Sequence, residues 1–282
     1  MLLAVLQGAS ELFPVSSLGH TVLIPAMLRW SFDRSDPTFL AFVVALHLGT
    51  AIALVAFYRS DWARIASALA RSVVRGSLSN DADERIGWLL VVGTVPVAML
   101  GVFLEKPVRQ FFGSSAMVAG FLILNAFVMF GGEALRRRAL SSGAASASVA
   151  RPLAALPWPD AARIGLAQAA ALLPGISRSG ASIVAGLLLR LTHEDAARYS
   201  FLLATPVIVA ASVLEIPKLL EPGAHAVLAQ AMVGGVLAAL TAYASVAFLT
   251  RWFHSHDLRP FGWYCLIFGT FALTLALAKV IT

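Results

Sequence analysis

Two stretches of the chain, far apart in the sequence, hold residue types that can do chemistry. The first is "QGASELFPVSSLGH", Gln7 to His20. Gln7 and Glu11 are four residues apart, which on a helix puts both side chains on one face, one turn from each other. Two oxygen ligands at that spacing suit a hard divalent cation, Mg2+ or Ca2+, with water and a substrate phosphate completing its shell. The plainer alternative is that Glu11 pairs with Arg178 or caps a half-helix. Ser16 and Ser17 follow Pro14, where a hydroxyl caps the first turn of the next helix. His20 comes three residues after Ser17 and shares its face once that helix has begun. A serine beside a base is the arrangement for nucleophilic attack, with histidine the usual proton carrier. A buried histidine bonded to a backbone carbonyl is the alternative.

The second stretch is "PGISRSGAS", Pro174 to Ser182. Glycines, Gly175 among them, bracket Arg178 and the hydroxyls of Ser177, Ser179 and Ser182. Backbone N–H groups at the start of a helix, helped by its dipole, make an anion site. The fixed fork of Arg178 matches phosphate oxygens better than a lysine would, although a structural ion pair with Glu11 would also explain it. Taken together, these stretches offer a nucleophile (Ser17) with a base (His20 or Glu11), a cation pair (Gln7, Glu11) and a phosphate cradle (Ser16, Gly175, Ser177, Arg178, Ser179, Ser182). That set fits phosphoryl transfer, in which electrostatic positioning supplies most of the rate.

Other polar residues carry less. His47 lies within an apolar run and reads as a satisfied core histidine rather than a cavity residue. Glu105, Glu133 and Glu215 fall near the ends of such runs, where solvation explains them. His193, His254 and His256 fall in loops without metal-ligand spacing.

The elements that must position these residues are membrane helices. The 282-residue chain is 59% hydrophobic and 13% charged, with a mean hydropathy of +0.82, well outside the range of soluble domains. Six apolar runs of roughly 17 to 24 residues are long enough to cross a bilayer. The formal charge of +6 sits in short loops, so it speaks to orientation and not to nucleic acid. The single cysteine, Cys265, excludes disulfides within one chain and reads as a small core residue. No basic segment precedes an apolar one at Met1, so no cleavable signal peptide is expected.

Both chemical stretches interrupt segments too short to span. "LLAVLQGASELF" breaks at Pro14 and resumes as "SSLGHTVLIPAMLRW"; "IGLAQAAALL" breaks at "PGISRSG" and resumes as "ASIVAGLLLRL". Each reads as two half-helices of about 10 to 13 residues forming a re-entrant hairpin, which survives at membrane depth only where protein or a wet cavity satisfies its backbone. Gln7 followed by "LFPVSSLG" parallels Gln168 followed by "LLPGISRSG", and each precedes three apolar runs. The expected fold is therefore an all-α polytopic membrane protein in a single domain over 1–282, with repeat 1 at about 1–135, a small-residue and proline linker at about 136–160, and repeat 2 at about 161–282. Three crossings is an odd number, so the repeats should be inverted, bringing Ser17 near Arg178.

Loop arginines set the orientation. Arg59, Arg64, Arg71, Arg75 and Arg85 share one loop; Arg136, Arg137, Arg138 and Arg151 share another; and Arg190, Arg198, Arg251 and Arg259 fall on the same side. The opposite side holds only Arg29, Arg34, Lys106, Arg109, Lys218 and Lys279, so the first set is expected to be cytoplasmic. The first hairpin then opens outward.

At these motifs the chain resembles the bacterial undecaprenyl-diphosphate phosphatase family, known also for bacitracin resistance. That family carries (E/Q)xxxE running into PVSSxGH, and later PGxSRSxxT; here these read "QGASE", "PVSSLGH" and "PGISRSGAS". "FLEKPV" and "SFLLATPVI" extend the similarity over nearly the whole length. The resemblance implies removal of the terminal phosphate of the C55 isoprenoid diphosphate carrier used in peptidoglycan synthesis. It also implies a divalent cation, an inverted repeat with two re-entrant hairpins, and a site reached from the periplasmic side of the bacterial inner (plasma) membrane. Carried over by position, Ser17 is the nucleophile with His20 beside it, Gln7 and Glu11 belong to the first motif, and Ser177, Arg178 and Ser182 to the second. Ser182 stands where the family often has Thr, and Gln7 where many members have Glu, which should weaken a cation site there. The family pattern also implies more helix ahead of Gln7 than the chain carries. The partners expected are a polyprenyl diphosphate and the bilayer, with no nucleic acid, and a homodimer is one open oligomeric state.

Two rival readings differ in class. Inverted repeats with broken helices also occur in secondary transporters and lipid flippases, but the unlike chemistry of the two hairpins suits one composite active site. The acid-phosphatase type of lipid phosphatase uses similar SGH and SR motifs, yet here no Lys is followed at the right distance by Arg-Pro and no later His-x-x-x-Asp occurs.

Overall fold

The computed structural model describes residues 1–30, 37–109, 113–141, 150–215 and 225–281. Among the described residues, eleven α-helices run in the order α1 (Leu2–Leu12), α2 (Ser17–Met27), α3 (Pro37–Phe57), α4 (Arg59–Arg75), α5 (Ala82–Arg109), α6 (Ser115–Ser141), α7 (Trp158–Gln168), α8 (Arg178–Leu188), α9 (His193–Glu215), α10 (His225–Trp252) and α11 (Arg259–Leu277). No β-strand occurs among the described residues. Among the described residues, five helices are long and apolar enough to cross a membrane, and a sixth is reached by joining α3 to α4. Large side chains such as Phe127, Val236, Leu240, Ile267 and Phe271 are exposed along these helices, as a lipid-facing surface requires. The protein is a polytopic, all-helical membrane protein.

The two broken segments form as short helix pairs. α1 and α2 have 11 residues each, as do α7 and α8, about half of what a span needs. A 3-10 turn, Ala169–Leu172, extends α7 toward the second break. The order of two short helices followed by long ones thus occurs twice along the chain. Each first half-helix packs against a long helix from the other half: α1 on α10 and α7 on α5. Glycines permit this. A Cβ on Gly8 would lie 2.1 Å from Thr241 Oγ1 and 2.2 Å from the Ala238 carbonyl oxygen, and one on Gly165 would lie 2.1 Å from the Gly93 carbonyl oxygen. Small residues at such crossings let helix backbones approach where lipid offers no hydrophobic drive.

α4 was not anticipated as a helix. It bends 87° from α3, buries Ile65, Ala68 and Ser72 and turns Arg59, Arg64, Arg71 and Arg75 outward. An amphipathic helix crossing a span at that angle suits the interface plane. The arginine-rich loops meet as expected, with Asp61 pairing with Arg198, Glu194 with His254, and Asp257 with Arg137. α6 carries Arg136, Arg137 and Arg138 as far as Ser141, and α7 begins at Trp158. Arg34 and Lys218 lie outside the described residues, as do the side chains of Glu105, Lys106, Arg109 and Glu215.

Candidate active site

The same capping chemistry starts the second half-helix of each hairpin. Ser16 precedes α2 and its Oγ accepts from Gly19 N at 3.2 Å; Ser177 precedes α8 and its Oγ accepts from Gly180 N at 3.1 Å. The first helical residue is Ser17 in one hairpin and Arg178 in the other, so a hydroxyl and a guanidinium occupy equivalent positions. Among the described residues, no protein acceptor meets the backbone N–H groups of Ser17, Leu18, Arg178 and Ser179, and free N–H groups at helix starts favour an anion.

Glu11, on α1, joins the hairpins. Its Oε2 accepts from the Ser17 hydroxyl at 2.5 Å and from Gln7 Nε2 at 2.9 Å, and lies 3.3 Å from His47 Nε2. Its Oε1 accepts from Arg178 Nη2 at 3.5 Å. Arg178 Nη1 donates to the Ser200 carbonyl at 3.3 Å, while its Nε is buried without a partner among the described residues. An unmet guanidinium donor on a membrane protein's interior is costly unless an anion fills the place. A cavity of about 290 Å3 takes in Glu11, Ser16, Ser17, His47, Gln168, Ser177 and Arg178, with aliphatic side chains from α2, α3, α5, α9, the 3-10 turn and the second break as its remaining wall. Polar groups converging in a mostly apolar pocket are what an amphiphile's head group needs.

Several expectations change. His20 does not face Ser17. Its Nδ1–H donates to the Ser16 carbonyl at 2.7 Å, its Nε2 pairs with Tyr264 Oη at 2.7 Å, and its ring stacks on Tyr264 and Phe268. A carbonyl can only accept, so neutral His20 carries its proton on Nδ1 and accepts from the tyrosine hydroxyl. It clamps Ser16, whose φ of 66° is uncommon for a residue with a Cβ. Ser179 donates to the Phe13 carbonyl at 3.1 Å, and Ser182 bonds the Arg178 carbonyl at 2.8 Å and Ser200 Oγ at 2.7 Å. Neither lines the cavity; both tie the second hairpin to its neighbours. Gly175, at φ 117°, is packed so closely on α6 that a Cβ would lie 2.5 Å from the Val118 carbonyl oxygen. These three residues hold the cradle in shape and are not its lining.

Three residues gain weight. His47, read as a core histidine, lines the cavity and holds Glu11 while its Nδ1 meets the Val43 carbonyl at 2.8 Å. Gln168 lines the cavity too. Asn125, fully buried on α6, donates to the Pro14 carbonyl at 3.0 Å and accepts from Ser177 N at 3.0 Å, bridging both breaks. A lone Asn inside "FLILNAFVMF" was the available signal.

No group of three His, Cys, Asp or Glu side chains that could hold a metal occurs among the described residues. Among the described residues, the buried Oε1 of Gln7, next to Glu11, and that of Gln168, in the cavity wall, nevertheless lack partners, and unsatisfied amide oxygens together with a carboxylate suit a hard cation that also takes water and phosphate oxygens.

Residues 1–271 match the family model described as "Bacitracin resistance protein BacA". The chain belongs to this family. It is 45% identical over 281 residues to undecaprenyl-diphosphatase 2 of Chromobacterium violaceum, covering 98% of both chains. It is 46% identical over 283 residues to the undecaprenyl-diphosphatase of Acidiphilium cryptum, covering 98% of this chain and 96% of that one. Another undecaprenyl-diphosphatase, from Mycobacterium avium, is 46% identical over 281 residues, covering 93% and 92%. The family match over residues 1–271 takes in both hairpins.

Proposed function

We propose that the protein is a membrane phosphatase that hydrolyses undecaprenyl (C55 polyprenyl) diphosphate to undecaprenyl phosphate and inorganic phosphate. It thereby recycles the lipid carrier of peptidoglycan synthesis and confers bacitracin resistance. The observation that carries this reading is the junction at Glu11, where a serine hydroxyl from one hairpin and a guanidinium from the other meet on one carboxylate beside a cavity.

The chain's own groups support a two-step transfer. Arg178 and the N–H groups at the starts of α2 and α8 hold the diphosphate. Ser17 Oγ attacks the terminal phosphorus in line, the anhydride P–O bond breaks, and undecaprenyl phosphate leaves. Glu11 takes the hydroxyl proton, and returns it to the serine oxygen as water cleaves the phosphoserine. The aliphatic wall accepts the first isoprene units. Gln7, Glu11 and Gln168 would hold the divalent cation, Mg2+ or Ca2+, which when bound offsets phosphate charge. The arginine-rich loops are assigned to the cytoplasm of the bacterial plasma membrane, which puts the mouth of the site on the periplasmic side. The hairpins and the helices that follow them form two inverted repeats.

The test is phosphate release from a long-chain polyprenyl diphosphate by detergent-purified protein with Mg2+ or Ca2+, beside chelator and Arg178→Ala controls. Cation-dependent release that vanishes in the variant supports the phosphatase. No release by folded protein under any of these conditions overturns it and turns attention to lipid transport in liposomes.

A further inference from the structure

A second cavity, of about 560 Å3, opens where the end of α6, the start of α9 and the turn from α10 to α11 meet, and it shares no residue with the first. Arg136, Arg137 and Arg259 line it, with Trp252 and Trp263 among the other walls. Its two carboxylates are already engaged. Glu133 Oε1 meets His193 Nε2 at 2.7 Å and Leu258 N at 3.1 Å. Asp257 Oδ2 meets Arg137 Nη2 at 3.0 Å and Arg259 Nε at 2.7 Å. Burial pushes the Asp257 carboxyl up, but the Arg259 backbone N–H and guanidinium, and then Arg137, outweigh it and hold it below its usual value. It therefore stays charged and fixes two guanidiniums through one nitrogen each, and their other N–H groups meet no acceptor among the described residues.

Arg136 stands apart. It is half-buried at the cavity wall and has no ion-pair partner among the described residues. Three guanidiniums thus face two carboxylates that are already bonded, leaving a cationic surplus. The position matters as much as the charge. Trp252 ends one candidate span and Trp263 lies near the start of the next, the depth at which tryptophans sit among lipid head groups. Basic pockets between helix ends on the arginine-rich side are suited to phosphate heads, which Arg recognises through paired donors.

We propose that this cavity binds the phosphate head group of an anionic phospholipid from the arginine-rich leaflet. The proposal does not rest on the phosphatase reading, since no catalytic group lines the cavity. Full-length protein in detergent is titrated with phosphatidylglycerol and with phosphatidylcholine, and bound lipid is counted by native mass spectrometry. Arg136→Ala is expected to weaken phosphatidylglycerol binding about fivefold. Arg136→Lys should keep most of it, Arg71→Ala on α4 should keep all of it, and phosphatidylcholine should be indifferent to each change. A second readout needs no arginine variant: bromine-labelled phosphatidylglycerol quenches tryptophan fluorescence, and Trp263→Phe removes part of that quenching. Equal retention of the two lipids by the unaltered protein, or quenching unchanged in Trp263→Phe, overturns the proposal. Inorganic phosphate displacing the lipid stoichiometrically at low concentration would assign the cavity to the free ion and overturn its lipid character.

Discussion

Ser17 donates its hydroxyl proton to Glu11 Oε2 at 2.5 Å, and Arg178 holds the other oxygen of the same carboxylate. The base nearest the proposed nucleophile is therefore a carboxylate from the preceding half-helix, and its orientation depends on a residue of the opposite hairpin. Positioning in this site is shared between the two halves of the chain.

Removing the hydroxyl should separate chemistry from binding. Ser17→Ala is expected to lower turnover by about a thousandfold or more, while equilibrium binding of the lipid diphosphate persists through Arg178. Rapid quench of the unaltered enzyme with phosphorus-labelled substrate should leave label on Ser17. Turnover at the normal rate in Ser17→Ala would take serine out of the mechanism.

Glu11 and His20 should fail in different ways. Glu11→Gln removes the base and also the buried carboxylate that Arg178 and His47 face, so kcat should fall by about 100- to 10,000-fold and the melting temperature should fall too. His20→Ala removes a stacked ring and two buried hydrogen bonds, and is expected to cost about 2–4 kcal/mol of stability. Thermal unfolding in detergent checks this. An unchanged melting temperature in His20→Ala would contradict a clamping role.

Arg178→Lys retains charge and loses the fork. A reduction of about 10- to 100-fold in kcat/KM is expected, corresponding to about 1.4–2.7 kcal/mol. Kinetics across a substrate series would show a full rescue by lysine if only net charge mattered.

Asn125 holds the two breaks together. Asn125→Leu leaves the Pro14 carbonyl and the Ser177 N–H without their partner, so a loss of about 2–3 kcal/mol is expected. Activity should fall with it, because both half-helix starts depend on those bonds. Thermal unfolding and phosphate release measured on one preparation test both parts.

Helix contacts between the halves rest on glycine. Gly165→Val would push α7 off the Gly93 backbone and is expected to destabilise by about 1–3 kcal/mol or more. Gly101→Ala, where a Cβ meets nothing within 4 Å, is the control and should be neutral in the same unfolding assay.

The sequence alone was enough to establish a polytopic helical protein, because apolar runs of bilayer length and paired half-length segments follow from hydropathy and from the rule that backbone must be satisfied in lipid. Its two polar motifs also named Glu11, Ser17 and Arg178, since such residues are too costly in a membrane segment to be idle. Tertiary structure decided which side chains face one another. Ser17 and His20 share a helix face by spacing, yet Tyr264 and Phe268 on α11 draw the imidazole away. His47, which looked like a core residue, meets Glu11. Ser179 and Ser182 read as phosphate ligands until carbonyls and Ser200 on adjoining elements satisfied them. Spacing along one helix fixes direction only around that helix's axis. What lies in that direction is set by packing against other helices, from 18 residues away for Ser200 to 244 for Tyr264, and no local pattern records it.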